Sequence, residues 1–145
     1  MNRKTLKVQL HSKDAKVPAY ANSGDAGMDL FTPNKIVLKA RGKVIIDTQV
    51  SIELPKNTVA LVWDKGGLGC VKGIKVLGGV FDENFRGTYT IGLANLTDKD
   101  YLFEAGDKIC QILIQPIEYV NVKIVDKLSD KTARGAKRFG STGKK

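Results

Sequence analysis

Histidine and cysteine are scarce in this chain, and their scarcity excludes several kinds of catalytic and metal site. The sequence has one histidine, His11, and two cysteines, Cys70 and Cys110, which lie 40 residues apart. These residues cannot supply the ligands of a zinc site, and a catalytic triad would have to use His11, near the N-terminus. We expect the two cysteines to be free and buried; a single disulfide is the alternative.

Long hydrophobic runs are also missing. The longest unbroken apolar run is Val59 to Trp63, far short of the roughly 20 residues that a membrane-spanning helix needs. The first residues alternate charge and polarity, without the apolar stretch of a secretory signal. With 145 residues, of which 42% are hydrophobic, the chain is long enough to bury one core. The sequence therefore predicts a soluble, cytoplasmic domain with no membrane partner.

Positive charge is concentrated at one end of the chain. Lys and Arg number 24 against 15 Asp and Glu, which gives a net charge of +9. Residues 131–145 contain six cations and no acid, so they carry +6 and the rest of the chain carries +3. This end is rich in glycine and lacks apolar periodicity, which is typical of an arm that becomes ordered on an anion, or of a solvated tail. We therefore divide the chain into a folded domain, 1–130, and a basic C-terminal arm, 131–145.

Alternation with a period of two dominates the folded domain. Between Lys43 and Leu54, the even positions are mostly apolar, whereas Asp47, Ser51 and Glu53 fall on the other face. The other predicted strands are rich in β-branched and aromatic residues and end at turn residues: 6–10, 28–31, 36–38, 59–63, 74–77, 88–94, 109–114 and 119–125. No stretch of a dozen residues has the pattern of an amphipathic helix. These observations predict an all-β fold, a distorted jelly roll or β-barrel-like sandwich.

Three acids that lie between apolar residues or glycines are candidates for general-base chemistry: Asp29, Asp82 and Asp107. Asp82 follows Val80 and Phe81, so we expect its carboxylate to lie against an apolar wall, where partial desolvation raises basicity. A turn acid that caps a hairpin is the alternative for Asp82. For Asp107 the turn interpretation is favoured, because Ala-Gly-Asp-Lys before an apolar run is typical turn chemistry.

Two further patterns suggest ligand contacts. Gln111 interrupts the apolar run 109–114, and a buried amide must find a hydrogen-bond partner on a neighbouring strand or a ligand. Residues 138–143, Arg-Phe-Gly-Ser-Thr-Gly, combine a cation, an aromatic ring, two hydroxyls and two glycines. Such a segment is suited to stacking on a base while its donors bind phosphate oxygens. In addition, eight of the 15 glycines lie between Gly66 and Gly92, where either tight turns or a binding loop would explain them.

Taken in order, five segments resemble the motifs of the trimeric dUTPase family. They are DAGMDL at 25–30, DKGGLG at 64–69, GGVFDENFRG at 78–87, AGDKICQ at 105–111 and ARGAKRFGSTG at 133–143. The resemblance implies a β jelly roll assembled as a homotrimer, with active sites at the subunit junctions and the C-terminal arm of one subunit closing over a site made by the others. It implies the Mg²⁺-dependent hydrolysis of dUTP to dUMP and pyrophosphate.

The same resemblance assigns a role to each candidate residue. Asp82 would hold and activate the water that attacks the α-phosphorus, and Phe85 would pack under the deoxyribose and leave no room for a ribose 2′-hydroxyl. Asp29 and Asp107 would order the site and the hydration of Mg²⁺, which the triphosphate itself would chelate. Uracil would be recognised by Gly78, Gly79, Val80, Phe81 and the stacked ring of Phe139. The phosphates would be contacted by Lys65, Gly66, Gly67, Gln111, Arg134, Gly140, Ser141 and Thr142.

Three departures from the family pattern are visible. Lys65-Gly66-Gly67 stands where Arg-Ser-Gly or Arg-Ser-Ser is usual, so a serine hydroxyl is missing. Loss of such a donor is worth roughly 3 kcal/mol in the transition state, which predicts slow turnover. Asn84-Phe85 replaces Asp-Tyr, a change that keeps the ring, and Arg138 stands where glycine is common.

Three other functions are open to a chain with this sequence. A regulatory module that binds dUTP with little turnover is the main alternative, because Gly66 replaces the serine. A dCTP deaminase shares the fold but expects an Arg-Ser-Ser segment and a catalytic glutamate beyond the third motif, and neither is present. Binding of nucleic acid rests on charge alone and is disfavoured, because the basic arm has a single aromatic residue.

Overall fold

Ten β-strands and one short π-helix make up the regular structure of the described residues, 4–129, 131–132 and 134–137, in the computed structural model. The strands are β1 (Lys7–Leu10), β2 (Met28–Phe31), β3 (Ile36–Leu38), β4 (Lys43–Glu53), β5 (Thr58–Trp63), β6 (Ile74–Leu77), β7 (Val80–Phe81), β8 (Thr88–Asn95), β9 (Tyr101–Phe103) and β10 (Lys108–Pro116). The π-helix, Gly67–Val71, follows β5. The predicted all-β fold class is therefore confirmed.

All the strand pairs are antiparallel and form three sheets. The first sheet has the order β1-β4-β8-β6, the second β2-β10-β5-β7, and the third pairs β3 with β9. One continuous core of buried apolar side chains joins the sheets, and its fully buried members include Leu30, Ile52, Tyr89, Leu93, Phe103 and Ile112. Two sheets that enclose such a core have the layering of the predicted jelly-roll-like sandwich.

The longest strand, β4, keeps its predicted alternation across an irregularity. Its register with β8 shifts between Asp47 and Ser51, and Gln49 in between has a φ of 57°. β4 gains two residues on β8 over this interval, and an even number leaves the side-chain alternation unchanged. Val50 and Ile52 therefore remain on the buried face, as the pattern predicts.

The predicted strand at 119–125 is wrong for the single chain. β10 ends at Pro116, and residues 117–129 belong to no strand. Tyr119, Val120, Val122 and Ile124 are all exposed. The alternating sequence has the propensity for a strand, but the described part of this chain supplies no partner for its backbone.

The cysteines differ in their surroundings. Both are free, so the disulfide alternative is excluded. Cys110 is buried in β10, as expected, but Cys70 is exposed because the π-helix that carries it has no buried residue. In the part of the chain that the structure describes, no helix is long and apolar enough to cross a membrane.

Candidate functional site

A cleft of about 460 Å³ brings together residues from three of the predicted segments. The central strand of the second sheet, β10, lies between β2 and β5, so that Gln111 is opposite both Asp29 and Trp63. The polar lining of the cleft includes Asp25, Asp29, Asp64, Lys65 and Gln111. The sheet register therefore places segments one, two and four side by side.

Asp29 is a buried carboxylate held by two lysines. It is 3% exposed, and its two oxygens accept hydrogen bonds from Lys65 Nζ and, at 2.7 Å, from Lys108 Nζ. Burial raises the pKa of Asp29, but the hydrogen bonds and charges of Lys108 and Lys65 outweigh it and leave the pKa below its ordinary value. Asp29 is therefore ionised at neutral pH, and the three groups together carry one net positive charge.

The side-chain amide of Gln111 is fixed from two directions. Its Nε2 donates a hydrogen bond to the backbone oxygen of Asp64 at 2.9 Å. On the other side, Gly27 approaches so closely that a Cβ at this position would overlap Gln111 Oε1. The carboxylate of Asp64 is itself held by Val76 N at 2.6 Å and Lys75 Nζ at 2.6 Å. The expectation that Gln111 must be hydrogen-bonded is confirmed, with a protein backbone as its partner.

Two exposed glycines follow Lys65 at the mouth of the cleft. Gly66 has an ordinary right-handed helical conformation, and a Cβ added to Gly66 or Gly67 would meet no atom within 4 Å. The turn behind them is closed by hydrogen bonds from Gly69 N to Lys65 O at 2.8 Å and from Lys72 N to Gly67 O at 3.2 Å. The local backbone therefore does not require glycine at position 66.

The connection from β6 to β7, which lie in different sheets, does require glycine. Gly78 and Gly79 have φ values of 74° and 117°, which favour glycine. A Cβ on Gly79 would lie 2.9 Å from Val62 O, and Gly79 O accepts a hydrogen bond from Val62 N at 2.7 Å. This close pairing with β5 leaves Val80 exposed and Phe81 half-buried.

Asp82 and Phe85 lie in the turn that follows β7. Asp82 O accepts a hydrogen bond from Phe85 N at 3.1 Å, and Asp82 is exposed. The single chain does not bury Asp82, so the apolar wall expected around this carboxylate stays a prediction. The rings of Phe81 and Phe85 pack instead against the buried ring of Tyr89, with centroid distances of 3.9 and 6.1 Å. Neither Asp82 nor Phe85 lines the cleft that contains Gln111.

Asp107 and Arg134 do not line the cleft. Asp107 accepts a hydrogen bond from Glu104 N at 2.8 Å, and its backbone oxygen accepts one from Thr32 N at 3.0 Å, which confirms the turn interpretation. Arg134 is exposed, and its Nε donates a hydrogen bond to Lys137 O at 3.3 Å. Four further predicted residues lie outside the described residues: Phe139, Gly140, Ser141 and Thr142.

Two side chains near Asp29 were not predicted from the sequence. Lys108 binds Asp29 and adds a second cation, and Trp63 lines both the cleft and a smaller hollow of about 220 Å³ beside Gly78 and Gly79. Trp63 is more than half exposed. The signal that could have found it was the single tryptophan of the chain, at the end of an apolar strand and directly before the second segment.

This arrangement is suited to an anionic ligand. The Lys65 ammonium group and the exposed backbone of Gly66 and Gly67 beside it provide positive charge and donors at its mouth. Among the residues that the structure describes, no group of three or more His, Cys, Asp or Glu side chains is arranged to hold a metal ion. The cleft can therefore contact phosphate groups, but it provides no carboxylate cage.

Known proteins resemble this chain over nearly its whole length. The family model for dUTPase matches residues 13–143. A deoxyuridine 5′-triphosphate nucleotidohydrolase of Clostridium tetani is 42% identical over 146 residues, which cover 99% of this chain and 100% of the relative.

Solved structures agree with the sequence comparison. The dUTPase of Staphylococcus bacteriophage 80alpha, a mutant with dUpNHpp, has a TM-score of 0.87 and 27% identity over 97% of this chain and 99% of the other. A mutant dUTPase from phage phi11 of S. aureus, described with a structural Mg(II) ion, has a TM-score of 0.80 and 25% identity over 86% of this chain and 98% of the other. The chain therefore belongs to the dUTPase family.

Proposed function

We propose that this protein hydrolyses dUTP to dUMP and pyrophosphate. The observation that carries the proposal is the cleft at Asp29, Lys65 and Gln111, in which three of the family's segments meet. Relatives such as that of Clostridium tetani are named as nucleotidohydrolases, which favours hydrolysis over a module that binds dUTP without turnover.

The triphosphate binds at the mouth of this cleft. Lys65 is only partly buried, so one of its three donors can stay on Asp29 while another meets a phosphate oxygen. The exposed backbone of Gly66 and Gly67 lies directly beside it, and Gln111 faces the same space. Lysine supplies charge but lacks the bidentate fork of arginine, so we expect looser phosphate geometry.

Uracil and the sugar bind at the segment 78–85. Because Gly78 and Gly79 have no side chains, the backbone of this segment can approach the polar edge of uracil. The ring of Phe85, 39% exposed, would pack under the deoxyribose and exclude a 2′-hydroxyl. In the arm, Phe139 would cover the base.

Asp82 acts as the general base. Its carboxylate orients a water molecule and accepts a proton from it as the water oxygen attacks the α-phosphorus. The bond from this phosphorus to the oxygen that bridges to the β-phosphorus breaks, and pyrophosphate leaves. Since Asp82 is exposed in the single chain, the nucleotide and neighbouring subunits would supply the desolvation that makes it an effective base.

Magnesium is chelated mainly by the triphosphate. Both oxygens of Asp29 already accept hydrogen bonds from lysines, so this carboxylate is not a suitable direct ligand. When bound, Mg²⁺ offsets phosphate charge and fixes the phosphate conformation. Asp29 would contribute by holding Lys65, whose ammonium group would meet the phosphates.

A homotrimer would complete the site. The alternating segment 117–125 has no strand partner in the described part of the chain, and Val122 and Ile124 are 91% and 95% exposed. A second subunit can supply both the missing partner and a cover for this apolar surface. Asp82 also lies outside the cleft that contains Gln111, so subunit junctions would bring the two parts together.

The basic arm, 131–145, then closes over the bound triphosphate as an element separate from the folded domain, 1–130. A chain truncated after Ser129 should keep the trimeric mass of the full chain in sedimentation, and lose turnover. Loss of the trimer on truncation would contradict this division.

Pyrophosphate release from dUTP tests the proposed activity. The wild-type chain with Mg²⁺ should release it, and Asp82→Asn should lower kcat by about a hundredfold or more, because general-base catalysis is removed, while dUTP binding persists. Asp98→Asn is the matched control, because Asp98 is an exposed acid paired with Arg41. No release by the wild-type chain refutes the activity, and full release by Asp82→Asn refutes the role of this residue.

A further inference from the structure

Three aromatic rings form a cluster beneath residues 78–85, which are proposed to hold the nucleoside. Tyr89 is fully buried, and its ring lies parallel to that of Phe81, with a centroid distance of 3.9 Å and an interplanar angle of 7°. Phe85 is tilted against both rings, at 5.7 Å from Phe81 and 6.1 Å from Tyr89. A ring with no exposed surface thus supports one that is half-buried and one that is 39% exposed.

This cluster connects the two large sheets where the chain crosses from one to the other. Tyr89 belongs to β8 of the first sheet, Phe81 to β7 of the second, and Phe85 to the turn between these strands. β7 is only two residues long and pairs with β5 through two positions, so its ladder alone holds it weakly. The stack on Tyr89 therefore provides much of what fixes the height of Phe81 above the core.

Phe85 is positioned by packing. Its ring has no polar group with which to form a hydrogen bond, and it rests on the cluster on one side and over Gly87 on another. A Cβ at Gly87 would lie 2.6 Å from Phe85 Cζ. Any movement of Phe81 or Tyr89 would change the position of this ring.

The hydroxyl of Tyr89 does not contribute to this packing. Among the described residues, it is the one buried side-chain polar atom without a hydrogen-bond partner. Burial raises the pKa of Tyr89 to about 12, so the ring stays neutral.

We propose that Tyr89 is a positioning residue that sets the selectivity for deoxyribose over ribose. Its ring holds Phe81, and through Phe81 it holds Phe85 close enough to the sugar to exclude a 2′-hydroxyl. This inference rests on the proposed function, since it takes Phe85 as the surface under the deoxyribose. Tyr89 itself lies too deep to touch a nucleotide.

The ratio of kcat/KM for dUTP to kcat/KM for UTP tests this proposal. Tyr89→Leu removes the ring and should lower the ratio about fivefold, within the range expected for losing an aromatic pair. Tyr89→Phe keeps the ring and should keep the ratio within about twofold of wild type. An unchanged ratio in Tyr89→Leu, or an equal loss in both variants, would overturn the proposal.

A matched control separates selectivity from general destabilisation. Phe103 is 1% exposed and lies in the third sheet, which does not include residues 78–85. Its ring contacts that of Tyr101, with a centroid distance of 4.7 Å. Phe103→Leu removes a buried ring as Tyr89→Leu does, and should lower the melting temperature while leaving the ratio unchanged. An equal drop in the ratio in Phe103→Leu would also overturn the proposal.

Two further measurements keep the outcome decisive. If Tyr89→Leu does not fold, Tyr89→Met replaces the ring with a flexible side chain that can fill the space, and its ratio should fall in the same way. If the wild-type chain hydrolyses neither nucleotide, the proposed function has failed. The inference is then judged on the affinities of the same variants for dUTP and UTP, measured by calorimetry, with the same outcomes.

Discussion

Replacement of Asp29 by asparagine should destabilise the protein markedly, although the two side chains have nearly the same shape. Asp29 is 3% exposed and binds Lys65 and Lys108 through separate oxygens. Asparagine at this position would keep the volume of the site, so no cavity would form. The substitution would leave two ammonium groups facing a neutral amide, of which one end is itself a donor.

The magnitude follows from the burial of the three groups. Removal of one partner from a fully buried ion pair costs about 3–5 kcal/mol. Here the side chains of Lys65 and Lys108 are 27% and 45% exposed, so water compensates part of the loss. We therefore expect Asp29→Asn to lower the free energy of unfolding by about 2–3 kcal/mol. The effect should exceed that of any exposed ion pair among the described residues.

Urea unfolding at one fixed protein concentration measures this loss, because the stability of an oligomer depends on concentration. Glu104→Gln is the control, since Glu104 and Lys35 form an exposed pair with a distance of 3.1 Å. That substitution should cost no more than about 1 kcal/mol. Equal losses in the two variants would refute the reasoning that burial makes the Asp29 cluster important.

The same loss should depend on pH in a defined direction. The pKa of Asp29 in the folded chain lies below its ordinary value of 3.8, so the carboxylate stabilises the fold at pH values above about 4. This stabilisation disappears as the pH falls through the folded-state pKa, since protonated Asp29 resembles asparagine. The difference between wild type and Asp29→Asn should therefore be constant from neutral pH to about 5 and shrink below about 4. A difference that grows on acidification would contradict the assignment.

Three other substitutions test separate features of the site and the core. Gly66→Ser should raise kcat for dUTP by up to about a hundredfold, because it restores a donor where a Cβ meets no atom, whereas Gly66→Ala should not. Gly27→Ala should raise KM for dUTP and lower stability in urea by about 1–3 kcal/mol, because its Cβ overlaps Gln111 Oε1; unchanged values would contradict the fixed position of this amide. Tyr89→Phe should raise stability in urea by about 1 kcal/mol, because it removes a buried hydroxyl without a partner, and a loss would show that the hydroxyl is bonded.

Strand positions could be predicted well where the hydrophobic pattern is long. The prediction for 43–54 corresponds to β4, Lys43–Glu53, because eleven residues display a clear period of two. β7 and β9, with two and three residues, were missed because a strand of that length shows no measurable period. β3 is as short as β9, but it was recognised from its composition, since two of its three residues are β-branched. Their positions depend on pairing with β5 and β3, which are distant in sequence.

The segment 119–125 shows the opposite error. Its alternating residues have a high propensity for extended structure, but propensity cannot supply a hydrogen-bonding partner. A sequence pattern therefore does not distinguish a strand that pairs within the chain from one that needs a second subunit.

Residues of the candidate site were predictable where their chemistry is unusual for their position. Asp29 and Gln111 are polar residues within apolar segments, and both line the cleft. The role of Lys108 was not predictable, because it depends on a register shift between Lys108 and Cys110 in the pairing of β10 with β2. Without that bulge, Lys108 would share the face of the buried Cys110 instead of reaching Asp29.

The fate of the attacking oxygen tests the proposed mechanism most directly. Full-length protein is incubated with dUTP and Mg²⁺ in water labelled with heavy oxygen, and both products are examined by mass spectrometry. Attack of an Asp82-activated water on the α-phosphorus predicts one labelled oxygen in dUMP and none in pyrophosphate. Label in pyrophosphate, or no cleavage of dUTP, would contradict the mechanism.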